Sequence, residues 1–183
     1  GYKETDLLGG KDIYSSSKAS AELVVSSYFR TFLRFKNNIK IGVARAGNVI
    51  GGGDWAENRI IPDWFRCFSK KKILEIRYPN STRPWQHVLE PLSGYLTLAK
   101  YFSKKKKLNG EVFNFGPKSN QNEKVISLIN KLNKSSELFF YNKIKIKEGK
   151  LYESGLLKLN CNKAKKLLSW QANLNFIQLI NFI

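Results

Sequence analysis

The sequence has few of the residues that build metal centres and disulfide frameworks. Among its 183 residues there are two cysteines and one histidine. Cys67 and Cys161 lie far apart and form no Cys-x-x-Cys pair, and His87 alone cannot complete a usual zinc site. We therefore predict a protein with reduced thiols and no bound metal, as is typical of the cytoplasm.

Long apolar runs and targeting segments are also absent. No run approaches the ~20 apolar residues that a membrane-spanning helix requires, and neither end has the apolar centre and cleavage site of a signal peptide. The sequence contains no internal repeat and no low-complexity linker. These absences favour a cytoplasmic protein that folds as one continuous unit and has no membrane partner.

Acidic residues are scarce beside basic ones: 14 Asp and Glu stand against 32 Lys and Arg, which gives a net charge of +18. Such a balance can signal a nucleic-acid or anionic-membrane partner. Most of the excess is lysine, in the runs 70–72 and 104–107 and scattered beyond Lys143, a pattern typical of solvated surfaces. We therefore do not expect a nucleic-acid partner. A polyanion-binding surface is the alternative outside catalysis, and salt-dependent RNA binding would favour it.

Helical and strand-like segments alternate along the chain. Apolar spacing predicts helices over 14–35, 56–69, 89–102, 122–132, 162–168 and 176–183, of which the first is expected to be long and largely buried. Short apolar runs predict strands over 39–44, 73–77, 111–117 and 138–146. The alternation indicates an α/β fold with a parallel sheet. The strands are too few for a complete doubly wound sheet, and no Gly-x-Gly-x-x-Gly turn follows any of them.

A phenol and an ammonium lie four residues apart in Tyr14-Ser15-Ser16-Ser17-Lys18. On a helix this spacing puts both side chains on one face. A free tyrosine has a pKa near ~10, and a nearby cation favours the phenolate form, which can act as a base. Since many helices contain this spacing by chance, the pair alone does not establish a catalytic function.

Two further segments extend this pattern. The pair is preceded by Leu8-Gly9-Gly10-Lys11-Asp12 and followed by Ala19, Ala21 and Glu22. About thirty residues further on comes Arg45-Ala46-Gly47-Asn48-Val49-Ile50-Gly51. Together these segments resemble the active-site helix and the Arg-x-x-Asn-Val-x-Gly element of the extended short-chain dehydrogenase/reductase family. The resemblance implies NAD as the cofactor, with Tyr14 as the acid/base, Lys18 on the nicotinamide ribose and Arg45 at the cofactor.

Later residues narrow the resemblance to one subgroup of that family. They are Gly51-Gly52-Gly53-Asp54-Trp55-Ala56, Arg59-Ile60-Ile61-Pro62-Asp63, and the stretch Thr-Arg-Pro-Trp-Gln-His-Val-Leu-Glu-Pro-Leu-Ser-Gly-Tyr over 82–95. They are similar to the CDP-glucose 4,6-dehydratases of the NAD-dependent epimerase/dehydratase family. The similarity spans nearly the whole chain, although it weakens after about Gly116 and recovers at 157–164.

The resemblance also implies a division into domains. Residues 1–48 are expected to form the C-terminal part of a Rossmann-type NAD-binding domain. Residues 49–183 are expected to form mainly a smaller α/β nucleotide-sugar-binding domain, with about 86–116 returning to the Rossmann sheet. Relatives commonly form homodimers through the helix that bears the tyrosine, and the same is expected of the full-length enzyme.

Candidate substrate residues follow from the same resemblance. A sugar diphosphate suits a planar guanidinium and amide donors, and Arg83 with Asn48 is implied to contact it. Arg59 is implied to lie near the base and phosphates. It follows a glycine-rich turn at which Asp54 is expected to cap a helix, and the free N–H groups at such a turn can bind an anion. A surface ion pair is the alternative for both arginines. His87 is placed among the substrate residues, although a hydrogen-bonded structural role suits it better than catalysis. Trp85 is expected in the core, with stacking on a sugar as the alternative.

The implied reaction converts CDP-glucose to CDP-4-keto-6-deoxyglucose. Tyr14 would take the proton from the hydroxyl on carbon 4 while hydride moves to NAD; water is then lost across carbons 5 and 6, and hydride returns to carbon 6. Such products normally feed the synthesis of cell-surface sugars, as in O-antigen biosynthesis. Another extended family member, such as an epimerase or a dTDP-sugar dehydratase, is the alternative within the enzymes.

Two parts of that cycle are missing from these 183 residues. They are the phosphate-binding glycine turn and the Thr-Asp-Lys or Thr-Asp-Glu segment that supplies elimination acid/base groups in dehydratases. We therefore expect a C-terminal fragment of a longer enzyme or a decayed remnant, with no dehydratase activity of its own. Detecting a 4-keto product after mixing the purified chain with CDP-glucose and NAD would refute this expectation.

Overall fold

A computed structural model describes residues 1–104, 106–135, 143–147, 149, 153 and 155–183. The helices are α1 (Ile13–Tyr28), α2 (Ile60–Ser69), α3 (Leu89–Lys104), α4 (Val125–Ser135), α5 (Asn162–Leu168) and α6 (Phe176–Asn181). A π-helical turn, Phe29–Leu33, continues α1, and a 3-10 turn, Lys106–Leu108, follows α3.

The described strands are short and pair two by two. They are β1 (Val43–Ala46), β2 (Val49–Ile50), β3 (Leu74–Ile76), β4 (Thr82–Arg83), β5 (Gln86–His87), β6 (Val112–Phe115), β7 (Glu123–Lys124) and β8 (Ile144–Ile146). The pairs β1/β6, β2/β5 and β3/β8 are parallel, and β4/β7 is antiparallel. The predicted α/β fold with parallel pairing is thereby confirmed. Of the strand predicted over 138–146, residues 138–142 lie outside the described residues.

Helix α1 begins where its first N–H groups find a side-chain acceptor. One carboxylate oxygen of Asp12 accepts from the Ser15 N–H at 2.8 Å, and the other accepts from the Ser15 hydroxyl at 2.7 Å. Both bonds lower the pKa of Asp12, and the bond from the backbone N–H has the larger effect. Asp12 therefore defines the N-terminus of the helix that carries Tyr14.

The prediction that this helix is largely buried is wrong. None of the residues of α1 is buried, and Leu23, Val24 and Tyr28 each expose more than half of their surface. Apolar spacing predicts a face that can pack, but burial also requires a partner element on that face. Within the described residues no element covers this face of α1.

The buried side chains form two clusters. The first joins α2, α4 and α6 to β3 and consists of Ile50, Ile61, Trp64, Leu74, Ile76, Trp85, Leu128, Ile129, Leu132, Phe176, Leu179 and Ile180. The second lies against β6 beneath α3 and α5 and consists of Leu98, Leu108, Phe113, Phe115, Ala164, Leu168, Trp170 and Ala172. The division into domains stays a prediction, but the second cluster draws on residues 164–172 as well as on the segment around β6.

Cys161 is one of two free thiols, and it lies beside the turn at Gly116. Burial is the main cause that raises its pKa from an ordinary 9.0 to about 11. Two pKa units correspond to about 100-fold less thiolate at pH 8 than in an exposed thiol. We expect iodoacetamide to alkylate Cys161 correspondingly slowly at pH 8, and faster as the pH rises toward 11.

Mass spectrometry of tryptic peptides measures this rate. The chain unfolded in urea is the control, because Cys161 and Cys67 should react alike there. Equal rates for Cys161 in the folded and unfolded chains at pH 8 would contradict the expectation.

None of the helices in the described part of the chain combines the length and apolar character needed to cross a membrane. In the same residues, no three His, Cys, Asp or Glu side chains lie close enough together to hold a metal ion.

Candidate functional site

Tyr14 and Lys18 occupy the first two turns of α1 and share one face. The Lys18 ammonium nitrogen lies 5.5 Å from the centre of the Tyr14 ring, within the range of a cation–π contact. Tyr14 is 72% exposed, so its hydroxyl is open to another molecule. The predicted proximity of the phenol and the ammonium is present in the structure.

Arg45 lies on β1 and reaches across to α1. Its Nε donates to Glu22 at 2.9 Å, and its Nη2 pairs with the other carboxylate oxygen of Glu22. Both side chains are partly buried, with 21% of Arg45 and 13% of Glu22 exposed. The ion pair therefore ties the helix bearing Tyr14 to the sheet.

Asn48 lies in the bend between β1 and β2 and is half-buried. Its carbonyl accepts from the Gln86 N–H at 2.9 Å. The preceding residue, Gly47, packs so closely that an added Cβ would stand 2.7 Å from the Pro84 carbonyl oxygen. The Asn48 bend thus lies directly against the segment that follows Arg83.

Arg83 lies on β4 and is buried, with 7% of its surface exposed. Its Nη1 donates to the Thr82 carbonyl at 2.7 Å, and its Nη2 pairs with the carboxylate of Glu153. Desolvation lowers the pKa of Arg83, since burial penalises the charged guanidinium. A cation held at this depth is compensated by its partners and is not simply a surface charge.

Arg59 has a more open setting. Its Nη1 donates to Asp54 at 2.9 Å, and its side chain is 65% exposed. Asp54 also accepts from the Ala56 N–H at 3.1 Å. This bond is the main cause that lowers the pKa of Asp54, and the bond from Arg59 is the next. The helix expected from residue 56 begins at Ile60, with Arg59 at the N-cap, so the expected capping role of Asp54 is wrong. Between the glycines and α2 the chain makes a loop instead of turning directly into the helix.

His87 on β5 is engaged on two sides. Its Nδ1 accepts from the Leu89 N–H at 3.3 Å, and its ring lies 5.2 Å from that of Phe182. Both contacts suit a histidine that supports the structure. Trp85, two residues earlier, is buried in the first cluster and donates to the Glu123 carbonyl at 3.2 Å, as expected for a core tryptophan.

The candidate residues form two sets joined through β1. Tyr14, Lys18 and, through Glu22, Arg45 belong to the α1 side. The other set lies around β2, β4 and β5, where the chain segments of Asn48, Arg83 and His87 adjoin. Arg45 and Asn48 are three residues apart in sequence, so the Arg45–Glu22 pair and the Asn48 bend adjoin along the chain. Arg59 pairs with Asp54 in a loop outside both sets.

Two partners of the predicted residues were not identified from the sequence. Glu22 was recognised as part of the helical motif, but not as the partner of Arg45. Its position four residues after Lys18 indicates the helical face on which it lies, but not a partner on a strand. Glu153 lies 70 residues beyond Arg83, and no local pattern signals that pairing.

The chain is similar in sequence to a nucleotide-sugar dehydratase. Over 176 residues the chain is 42% identical to the CDP-glucose 4,6-dehydratase of Salmonella typhimurium. The aligned region covers 93% of this chain and 48% of that enzyme. The chain thus spans about half the length of this relative. The similarity predicted from the sequence motifs is confirmed. No protein-family model matches the chain.

Solved structures share the fold at lower identity. A dTDP-glucose 4,6-dehydratase from Bacillus anthracis, in complex with NAD, is 22% identical with a TM-score of 0.78, over 99% of this chain and 53% of that protein. An epimerase from Methanothermobacter thermautotrophicus is 20% identical with a TM-score of 0.81, over 98% of this chain and 51% of that protein. The predicted Rossmann-type α/β fold is confirmed by these likenesses.

Proposed function

We propose that this chain forms the C-terminal, catalytic-tyrosine part of an NAD-dependent nucleotide-sugar 4,6-dehydratase that acts on CDP-glucose. The observation that carries the proposal is the contact between Lys18 and the open Tyr14 ring on α1. Identity of 42% to a CDP-glucose 4,6-dehydratase supports the choice of reaction and nucleotide. The proposal makes the enzyme a hydro-lyase.

The residues present fit a nicotinamide cofactor. An ammonium suits the hydroxyls of a ribose, and an exposed phenol beside it can reach a substrate hydroxyl. Lys18 and Tyr14 would hold the nicotinamide side of NAD, and Arg45 stays a predicted contributor at the cofactor. When bound, NAD supplies a temporary store for hydride and is not consumed.

The proposed proton transfer takes place at the Tyr14 hydroxyl oxygen. As the phenolate, Tyr14 would accept the proton of the hydroxyl on glucose carbon 4, and it would return a proton there in the reverse direction. Lys18 places a positive charge beside the ring and so compensates the phenolate. Tyr14 is thus the proposed acid/base, and Lys18 its electrostatic partner.

Substrate binding is assigned to the set around β2 and β4. Arg83 is proposed to meet the diphosphate, with Asn48 as a polar neighbour across the contact between Gly47 and Pro84. A diphosphate would share or take over the guanidinium donors that Glu153 now engages. Arg59 is proposed as an outer contact for the nucleotide, since its ion pair with Asp54 is exposed. His87 is proposed to shape this region through its ring.

Three finer features extend the proposal. The exposed apolar side chains of α1, among them Leu23 and Val24, support a homodimer in the full-length enzyme. A cytoplasmic location suits an enzyme with free thiols that uses a nucleotide sugar. A 4-keto-6-deoxy sugar product would serve the synthesis of cell-surface sugars, as in O-antigen biosynthesis.

A chimaera tests the proposal. The segment of the Salmonella typhimurium enzyme that precedes its similarity to this chain is fused ahead of residues 1–183, and any segment that follows the similarity is fused behind them. The product made from CDP-glucose is identified by mass spectrometry and NMR. We expect a product lighter by one water that carries a ketone at carbon 4. An isomer of unchanged mass would show that the chain belongs to an epimerase, and an unchanged substrate in a folded chimaera would contradict the proposed activity.

A further inference from the structure

Helix α1 carries the proposed acid/base but has no buried residue of its own. In the described part of the chain, the side-chain hydrogen bonds that join this helix to a strand both run from Arg45 to Glu22. A further contact lies just beyond its C-terminus, where the Phe29 ring covers Gly110 so closely that an added Cβ would stand 2.1 Å from it. An exposed helix with few attachments depends strongly on each of them for its position.

Glu22 lies on the same stripe of α1 as Tyr14 and Lys18. The three residues follow one another at intervals of four, so their side chains point from one face. Along the helix axis Glu22 is about 6 Å from Lys18 and about 12 Å from Tyr14, at 1.5 Å per residue. A shift or rotation of α1 at Glu22 therefore moves the phenol and the ammonium as well.

The geometry of the ion pair can fix both the translation and the rotation of the helix. Arg45 uses two nitrogens on the two oxygens of one carboxylate, a planar fork that a lysine cannot reproduce. The strand end of the fork is itself held, because Ala44 packs against the second core cluster and Arg45 stands opposite Asn114 of β6 in the parallel register. The ion pair thus holds the helix against a strand that is itself fixed by its own packing and pairing.

We propose that Arg45 is a positioning residue that acts through Glu22. It sets the place of Tyr14 and Lys18 relative to the end of β1. The Asn48 bend follows this end, and the segment after Arg83 packs against it. The importance of this position rests on the proposed function, whereas the effect of the pair on the helix does not. The proposal gives Arg45 a role that requires no contact with the cofactor.

The environment of Tyr14 is measured directly in the purified chain. The protein is labelled with 3-fluorotyrosine, and the Tyr14 resonance among the eight tyrosines is assigned by its loss in Tyr14→Phe. Arg45→Lys, which keeps the charge, and Glu22→Gln, which keeps the shape, should each shift this resonance and speed amide exchange in α1. The double variant should add little to either single change, because one interaction is lost in all three.

A matched control breaks another partly buried ion pair. Glu111→Gln removes the partner of Lys163, which lies 2.6 Å away on α5. This variant should leave the Tyr14 resonance and α1 exchange unchanged, even if the stability of the chain falls. The proposal is overturned if Arg45→Lys and Glu22→Gln leave Tyr14 as in the parent, or move it no more than Glu111→Gln does.

A second measurement separates this proposal from the proposed function. In the active chimaera, Arg45→Lys should lower kcat several-fold while KM for CDP-glucose stays near that of the parent, because the fault lies in the placement of the acid/base. A several-fold rise in KM with no change in kcat would contradict a positioning role. If the parent chimaera makes no product, the proposed function fails, and the fluorine spectra still decide the role of Arg45.

Discussion

Replacing Tyr14 by phenylalanine is expected to lower kcat of the chimaera for CDP-glucose by about 100- to 10,000-fold, the range that general acid/base groups contribute. The substitution removes one oxygen and keeps the ring that lies against Lys18. The KM for CDP-glucose should change little, since the substrate diphosphate is assigned to residues around β4. The measurement is the initial rate of 4-keto product formation at saturating substrate.

The matched control is Tyr28→Phe. It makes the same chemical change on the same helix, at a tyrosine whose ring lies 5.3 Å from Phe32. We expect parent activity from this variant. Equal activity for Tyr14→Phe and the parent would remove Tyr14 from the mechanism, while equal losses in both variants would indicate damage to α1 instead of loss of a catalytic group.

Arg83→Lys is expected to weaken the binding of CDP to the chimaera by about 10- to 100-fold, because hydrogen bonds to charged groups contribute about 1.5–3 kcal/mol and a lysine cannot make the planar fork. The charge is kept, so the loss reports geometry more than net attraction. Isothermal titration with CDP gives the dissociation constant. CDP contains the diphosphate but no glucose, so contacts to the reacting sugar do not contribute to this dissociation constant.

Stability must be followed in the same variant, since Arg83 is buried and paired with Glu153. Urea unfolding shows whether the chimaera still folds at the titration temperature. Arg34→Lys is the control, because it makes the same exchange at an exposed arginine that lies over Phe35. A folded Arg83→Lys variant that binds CDP as tightly as the parent would show that Arg83 does not meet the diphosphate.

Local sequence patterns predicted some elements closely and others poorly. The helix predicted over 89–102 is α3, Leu89–Lys104, and the strand predicted over 111–117 is β6, Val112–Phe115. Both have strong apolar periodicity and clear turn residues at their ends. The strand expected over 39–44 begins only at Val43, because β1 is defined by its pairing with β6 and not by its own apolar run.

Burial and side-chain pairing were the parts that local patterns could not supply. The apolar spacing of α1 predicts a helix, as the structure has it, but whether Leu23 or Val24 is covered depends on which element packs there. The pairs Arg45–Glu22 and Arg83–Glu153 join residues 23 and 70 positions apart. Such contacts arise from the tertiary fold, so a motif can indicate the residue type needed at a site without revealing its partner.

The sequence motifs nevertheless located the chemistry of the candidate site. Tyr14 and Lys18 were predicted to share one face from their spacing alone, and the structure places the ammonium over the ring. Trp85 was expected in the core and is buried there. The roles of Asn48, Arg59, Arg83 and His87 in binding stay predictions, since they depend on a ligand and not on the fold of the chain.

We propose that this chain contributes the acid/base to a reaction that moves the hydrogen of glucose carbon 4 to carbon 6. CDP-glucose carrying deuterium at carbon 4 tests this most directly when it is converted by the chimaera. We expect a 4-keto-6-deoxy product with the deuterium on carbon 6, formed at least about 100-fold more slowly when Tyr14 is replaced by phenylalanine. Deuterium retained on carbon 4 of an epimerised sugar, or the labelled product formed by the Tyr14→Phe variant at the parent rate, would contradict this expectation.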